Sequence, residues 1–316
     1  MIRRWNLLPQ DPSGQTELAA ALSISKITAQ ILLNRGIREV EEARRFFACS
    51  LGDLPDPFGM KDMDRATDRL LRAIEGGETI VIYGDYDVDG ITGASLLKTF
   101  FREIGVETPF YTPDRLKEGY GVNPASVRRL AERGTRVIIT VDCGISAFEG
   151  LEEARRLGID LIVTDHHLPP PELPPAAAIL NPQRKDCPFP CKALAGVGVA
   201  FNLAIALRSR LRERGYFATR PEPNLKRFLD FVAVGTVADI VPLVGANRVM
   251  VRHGLAELSR TRRKGFQALV RVSGLEGKEI TTGRVGFQLG PRINATGRVG
   301  ESLNGVRLLT AEDEGE

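Results

Sequence analysis

Acidic residues recur at alternate positions in Asp85-Tyr86-Asp87-Val88-Asp89-Gly90, and two histidines follow an aspartate in Asp165-His166-His167. Asp142 closes the apolar run Arg136-Val137-Ile138-Ile139-Thr140-Val141. Asp239 stands in Phe231-Val232-Ala233-Val234-Gly235-Thr236-Val237-Ala238-Asp239-Ile240-Val241, which holds no other charge. Carboxylates and imidazoles hold hard and borderline divalent cations, so these stretches together offer ligands for a metal centre. A single loop acid is better read as a solvated residue or a helix cap. Five acids and two of the three histidines gathered at one place are harder to explain that way. Asp239 adds to the argument, because a buried carboxylate is unfavourable unless a cation or strong donors compensate it. Its plain alternative is to cap the next turn or pair with an arginine.

Asp85-x-Asp87-x-Asp89-Gly90 also opens like a calcium EF-hand loop. Loop position twelve needs a bidentate Glu and is Leu96, and a strand-like run precedes the loop where a helix is required.

The elements that must position these residues alternate. Thr79-Ile80-Val81-Ile82-Tyr83 reads as a buried strand, 91–104 as a helix, 108–112 as a second strand, and Asn123 caps a helix opened by Pro124. Residues 136–141 form the next strand, Ser146 caps a helix to 157, and strands follow at 160–164 and 178–180. Apolar strands separated by helices of about 10–15 residues predict βαβ units, hence an α/β fold with a parallel sheet flanked by helices. In such a sheet ligands collect at the carboxyl ends of the strands. Three strands here end in the acid run, in Asp142 and in Asp165-His166-His167.

Before the sheet, residues 19–47 are helical in period, with Ile24, Ile27 and Ile31 as the apolar face and Leu32 beside them. A Pro- and Gly-containing linker over 51–60 leads to an amphipathic helix at 63–74, stopped by Gly76-Gly77. After the proline-rich loop 169–175 helices dominate, at 197–214, 225–241 and 249–258; residues 283–305, rich in Gly, Arg and Asn, read as a functional loop. The expected organisation is a helical N-terminal segment (1–55), an α/β catalytic domain (56–245) and a helical and loop segment completing the site (246–316). The terminal Glu312-Asp313-Glu314-Gly315-Glu316 reads as the start of a helix, and is expected to mark a truncation.

With 43% hydrophobic and 26% charged residues the chain has the composition of a globular protein. It shows no secretory h-region and no apolar run near the ~20 residues of a membrane span. Four scattered cysteines make no disulfide framework in 316 residues, so a cytoplasmic, reducing compartment is expected. A net charge of +3 neither supports nor excludes a nucleic-acid partner. Locally, Arg115, Arg292 and Arg298 lie in glycine-containing stretches where guanidinium forks can grip phosphates. Arg208, Arg210, Arg212 and Arg214, like Arg260, Arg262, Arg263 and Lys264, read as solvated helix faces. Cys143 reads as a small residue beside a ligand, and Cys187 and Cys191 lack the second pair that zinc would need.

Four stretches resemble the motifs of DHH phosphoesterases: Tyr83-Gly84-Asp85-Tyr86-Asp87-Val88-Asp89-Gly90, Val141-Asp142-Cys143-Gly144, Thr164-Asp165-His166-His167 and Val237-Ala238-Asp239-Ile240-Val241-Pro242-Leu243. Asp114-Arg115-x-x-Glu118-Gly119-Tyr120-Gly121 and Gly290-Pro291-Arg292-Ile293-Asn294-Ala295-x-Gly297-Arg298 are similar to those of its single-stranded-DNA exonuclease branch. The resemblance runs from about Ser23 onward. It implies the DHH phosphoesterase fold and two divalent cations, Mn²⁺ or Mg²⁺, with Asp87 and Asp89 each approaching one, Asp142 bridging both, and His166 and Asp239 completing one shell. Related pyrophosphatases carry a histidine where this chain has Tyr83, which leaves Asp85 as the substitute ligand. His167 is implied beside the scissile phosphate, and Arg115, Arg292, Asn294 and Arg298 on substrate phosphates. Two ions about 3.5–4 Å apart would lower the pKa of a shared water and neutralise phosphate oxygens during in-line displacement, with no nucleophilic side chain. Mixed carboxylate and imidazole ligation suits Mn²⁺.

The implied function is hydrolysis of single-stranded DNA from its 5′ end, in DNA repair and recombination; the polarity comes from the resemblance alone. A DHH phosphodiesterase of short oligonucleotides or cyclic dinucleotides is the alternative enzyme. A non-catalytic replication scaffold is the alternative of another class, and it should have lost ligands that this chain keeps. The implied partners are single-stranded DNA and, through regions beyond these 316 residues, a single-stranded-DNA-binding protein or a helicase. No membrane is implied, and the chain is expected to be a monomer. The resemblance also implies a missing DHH-associated C-terminal domain and an oligonucleotide-binding fold.

Overall fold

The computed structural model describes residues 7–113, 121–299 and 303–313, with the backbone alone for 297–299. The chain divides into two compact units, Met1–Leu54 and Pro55–Glu316.

The first unit holds α1 (Pro12–Leu22), α2 (Lys26–Asn34) and α3 (Val40–Ala48). Asp11 caps α1 by accepting from Gly14 N–H, with Pro12 at the first helical position, and Ser25 caps α2 through Thr28 N–H. Leu18, Ala29, Leu32, Leu33, Ile37 and Ala43 form its core. The expected apolar face of α2 is therefore corrected. Ile27 and Ile31 are 75% and 45% exposed, because the inner stripe runs Ala29, Leu32, Leu33, and positions two residues from Ala29 face away from it.

The second unit runs α4 (Met63–Glu75), β1 (Thr79–Gly84), α5 (Val88–Glu103), β2 (Phe110–Tyr111), α6 (Pro124–Glu132), β3 (Thr135–Val141), α7 (Phe148–Arg156), β4 (Asp160–Thr164), β5 (Ala178–Leu180) and α8 (Gly196–Glu213). It continues through α9 (Leu229–Ala238), α10 (Gly245–Leu258), α11 (Lys264–Val272), α12 (Thr282–Arg284), α13 (Gly290–Val299) and α14 (Leu303–Thr310). All five strands are parallel, in the order β2-β1-β3-β4-β5. On one face Val81, Tyr83, Ile138, Leu161 and Val163 pack with Val127, Leu130, Leu151 and Ala154 of α6 and α7. The alternate residues Ile80, Ile82, Val137, Ile139 and Ile162 are equally buried, on the side where α5 and α8 meet β1 and β3. Burial on both faces explains why the strands read as unbroken apolar runs. Because β1 lies between β2 and β3, the connections switch sides there and open a crevice at the carboxyl ends.

Several expectations change. Residues 283–305 are no loop: the described part is helical, with a π turn at Val285–Leu289 between α12 and α13. Of its described glycines, Gly305 serves close packing, since a Cβ there would stand 2.8 Å from Thr296 Oγ1 and 2.9 Å from Ile91 Cδ1. Ser146 does not cap α7, which starts at Phe148 after Ala147, with no side-chain cap. The chain turns first, Ala147 N–H donating to Gly144 O. Asp239 is not inside a helix but caps the C-terminus of α9. The helix expected over 225–241 begins as a 3-10 turn at Leu225–Phe228. Arg263 is no solvated residue, as its guanidinium lies 3.0 Å from buried Asp230 and 4.1 Å from the Phe231 ring centre. Among the described residues no single helix is long and apolar enough to cross a membrane.

The outer edge of β5 is closed by a buried ion pair. Ile179 N–H donates to Asp62 Oδ2 at 3.2 Å, Ile179 O accepts from Arg184 at 2.8 Å, and Arg184 and Asp62 are 2.6 Å apart. Their side chains are 6% and 9% exposed. An edge strand sealed this way offers no template to another chain. Arg184→Met should lower stability by about 3 kcal/mol, because it leaves the buried Asp62 carboxylate with only the exposed Arg65 guanidinium at 3.4 Å and the Ile179 N–H. Urea unfolding would show it as a lower midpoint with unchanged slope. An unshifted midpoint would mean that the pair is not holding the edge.

Candidate metal centre

Each donor sits where a strand or helix ends. Beyond β1, Asp85 N–H donates to Val141 O. Asp87 then caps α5, its Oδ1 accepting from Asp89 N–H at 2.9 Å and Gly90 N–H at 3.0 Å. A Cβ at position 90 would stand 2.7 Å from Asp85 O, so the tight acidic turn requires glycine there. Asp89 falls in the first helical turn and is buried.

Beyond β3, Asp142 adopts a φ of 62°, a left-handed conformation that aspartate tolerates better than most residues, and its N–H donates to Thr164 O. Beyond β4, Asp165 Oδ1 accepts from His166 N–H at 2.7 Å and His167 N–H at 3.0 Å, and Oδ2 accepts from Ile145 N–H at 3.0 Å. The same Oδ1 lies 2.7 Å from Nδ1 of His167. With its carboxylate committed in this way, Asp165 orients the ring of its neighbour and leaves Nε2 facing outward.

Two later helices close the cluster. Gly196 and Val197, at the N-terminus of α8, donate their N–H groups to Asp89 Oδ2 and Oδ1 at 2.6 and 2.9 Å. Gly235 of α9 lets that helix approach, since a Cβ there would lie 2.3 Å from Thr92 Oγ1 and 2.9 Å from Asp89 Oδ1. Nε2 of His166 stands 3.1 Å from Asp142 Oδ1, 3.6 Å from Asp239 Oδ2 and 3.8 Å from Asp89 Oδ2.

The donors form three overlapping groups, Asp85–Asp87–Asp142, Asp89–His166–Asp239 and Asp142–His166–His167, in each of which one ligand atom per residue lies within 4.8 Å of the others. Whether they fit a cation can be tested on the polar atoms. Asp85 Oδ1, His166 Nε2 and Asp239 Oδ2 are buried and have no hydrogen-bond partner among the described residues. The backbone of Leu194 favours the charged form of the His166 ring, and a ring held from one side leaves its other nitrogen for a metal. Burial, reinforced by Asp87, pushes Asp85 up to about 7 and Asp239 up to about 6. Burial and neighbouring carboxylates push Asp89 and Asp142 well above the usual range. Burial lowers the His166 pKa, while the Asp165 hydrogen bond raises that of His167. Acids driven toward neutrality by burial and mutual repulsion are what a divalent cation would return to the charged form. The donor set fits.

A stability test follows. Carboxylates whose folded pKa is raised contribute stability that is present at low pH and lost as pH rises through the folded value. For Asp85 and Asp239 that loss is completed near 6–7. In chelator, the thermal midpoint should therefore fall from about pH 5 to about pH 8, and added Mn²⁺ should raise it more at the higher pH. A flat midpoint in chelator would contradict the cluster's electrostatics.

The remaining expected site residues are placed unevenly. Arg115 lies outside the described residues, as does the side chain of Arg298. Arg292 is exposed on α13 and donates to Gln288 O. Asn294 lines a cavity of about 350 Å³ with Val88, Ala238, Gly286 and Gly290, beside the segments that carry Asp87, Asp89 and Asp239. Arg208, Arg210, Arg212 and Arg214 are paired with Glu222, Asp64, Glu222 and Glu75. No donor group among the described residues contains a cysteine. Sequence reasoning missed Asp165 as an orienting group, and missed Gly196 and Gly235. The glycines of Gly196-Val197-Gly198, opening a long helix, were the available signal.

Comparison with known proteins agrees with this geometry. The DHH family, N-terminal domain, is matched over residues 79–236. The chain is similar to the single-stranded-DNA-specific exonuclease RecJ of Bacillus subtilis, 43% identical over 313 residues, covering 99% of this chain and 38% of that relative. It is also similar to the crystal structure of RecJ from Thermus thermophilus in complex with Mn²⁺, with TM-score 0.80 and 32% identity over 98% of this chain and 42% of that one. The Mg²⁺ complex from the same organism gives TM-score 0.68 and 28% identity, over 98% of this chain and 39% of that one. The chain spans about half or less of the length of the curated relatives it matches.

Proposed function

The chain belongs to the DHH family, and from that premise we propose that it is the catalytic part of an exonuclease that hydrolyses phosphodiester bonds of single-stranded DNA from the 5′ end, using Mn²⁺ or Mg²⁺. The observation that carries the reading is the overlap of three donor groups on Asp142 and His166 at the carboxyl edge of the sheet. Asp85, Asp87 and Asp142 would hold one cation, and Asp89, His166, Asp239 and Asp142 the other. When bound, the pair would supply Lewis acidity that activates water and neutralises the phosphate oxygens. His167, half-exposed and held by Asp165, would offer its outer nitrogen to the scissile phosphate, and its raised pKa favours donation of a proton. Arg115, Arg292, Asn294 and Arg298 bind phosphates along the strand, as forked or amide donors suit.

The functional division follows the sequence, with 1–55 as a helical segment, 56–245 as the catalytic domain and 246–316 completing the site. The enzyme acts as a cytoplasmic monomer in DNA repair and recombination, with a single-stranded-DNA-binding protein or a helicase as further partners.

The deciding assay follows release of product in Mn²⁺ or Mg²⁺ from a long single strand labelled at either end, from its duplex, from a dinucleotide and from a cyclic dinucleotide. Mononucleotides leaving the 5′ end of the single strand fastest is the expected result. Preference for the cyclic dinucleotide would replace the exonuclease reading with a phosphodiesterase. Inertness toward all four substrates would leave a scaffold.

A further inference from the structure

Ile240 directly follows the cluster acid Asp239, and its backbone lies in the left-handed region with φ of 61°. It is the first residue beyond the C-cap of α9, where helices commonly end on glycine or asparagine because a Cβ is unfavourable in that conformation. A β-branched residue is a poorer choice still. Burial gives nothing in return. The side chain is 87% exposed, more than any other large apolar side chain among the described residues. Neither backbone preference nor packing among the described residues explains an isoleucine here. Strained residues of this kind cluster at working sites, where the surroundings over-determine them.

Its surroundings say what it serves. Two residues before it, Ala238 lines the cavity of about 350 Å³ whose wall also includes Val88, between Asp87 and Asp89. That volume lies at the lower end of small-ligand sites, roughly 300–1,000 Å³. Val244, four residues on, is also an exposed apolar side chain. We propose that Ile240 is a substrate-contact residue, held in a strained conformation so that its side chain packs against the sugar and base of the nucleotide whose phosphodiester bond lies at the metal centre. This rests on the exonuclease reading. An aliphatic contact suits a reader of any sequence, since every base presents an apolar face.

The test separates strain from contact. Ile240→Asn and Ile240→Gly both relieve the backbone and remove the apolar group, so each should raise the thermal midpoint by about 2 °C. Single-turnover rates, with enzyme in excess of substrate but below saturation, are then measured on a 5′-phosphorylated strand with an intact terminal nucleotide and on one whose terminal nucleotide is abasic. The wild-type preference for the intact strand should shrink about fivefold in both variants. A raised midpoint with the preference fully retained would overturn the contact. A lowered midpoint in both variants would make Ile240 a packing residue and overturn the strain. If the wild type hydrolyses neither strand, it is the exonuclease reading that fails first, and this inference falls with it.

Discussion

Asp142→Asn should lose hydrolysis by on the order of 10³-fold or more while leaving a folded protein that is more stable than wild type in chelator. Asp142 belongs to two of the three donor groups, so its loss disturbs both prospective ion positions at once. Its side chain is buried, and burial together with Asp89 and Asp87 holds its pKa well above the usual carboxylate range. Removing that charge relieves repulsion that protonation or a cation otherwise offsets. Asparagine is the informative replacement because the backbone is left-handed at this position, with φ of 62°, and asparagine tolerates that region where alanine does not. Two measurements check the expectation: single-turnover cleavage in saturating Mn²⁺, and the midpoint gained on adding Mn²⁺. Activity within tenfold of wild type, with an undiminished gain in midpoint, would remove Asp142 from the centre.

Gly196→Ala should cost roughly 10²-fold in rate, although alanine is the better helix former by about 1 kcal/mol. A Cβ at this position would stand 2.8 Å from the Asp142 Cβ and 3.0 Å from its Oδ1. The N–H of the same residue donates to Asp89. Relief of the clash must move the start of α8, Asp142 or both, and an ångström of misplacement at a reacting centre is enough for the expected loss. Gly198→Ala is the control, because its Cβ would meet Leu194 at an ordinary 3.5 Å. Mn²⁺ titration calorimetry on both variants locates the effect. Weakened binding in Gly196→Ala alone supports the steric argument, and equal behaviour of the two variants would refute it.

The sheet and its donors were legible because their signals are local. An unbroken β-branched run such as Thr79-Ile80-Val81-Ile82-Tyr83 can be little else than a buried strand, and an acid placed just after it must lie at the carboxyl edge. The groups that complete the cluster were not legible for the opposite reason. Gly196 and Gly235 act through the close approach of α8 to Asp142 and of α9 to Asp89, which is a property of packing rather than of spacing. The region 283–305 read as a loop because its glycines and asparagine carry turn signals, and tertiary contact with α9 outweighs them. In α2 the isoleucines at 27 and 31 suggested the wrong face, since Ala29, Leu32 and Leu33 make an equally regular stripe. Asp165 hid in plain view as one more metal-type acid, and only its saturation by Ile145, His166 and His167 shows it to be an orienting group.

The bonds that hold Asp89 reach residues 107 and 108 positions further along the chain, and Asp239 comes later still. During synthesis the first acids therefore leave the ribosome long before the backbone groups that fix them. A nascent chain carrying Asp85, Asp87 and Asp89 has charge without a closed centre, and it gains one only when α8 and α9 have docked. For the activity proposed, completion of the fold acts as the safety catch. A molecule whose α8 has not docked lacks the two N–H groups that fix Asp89.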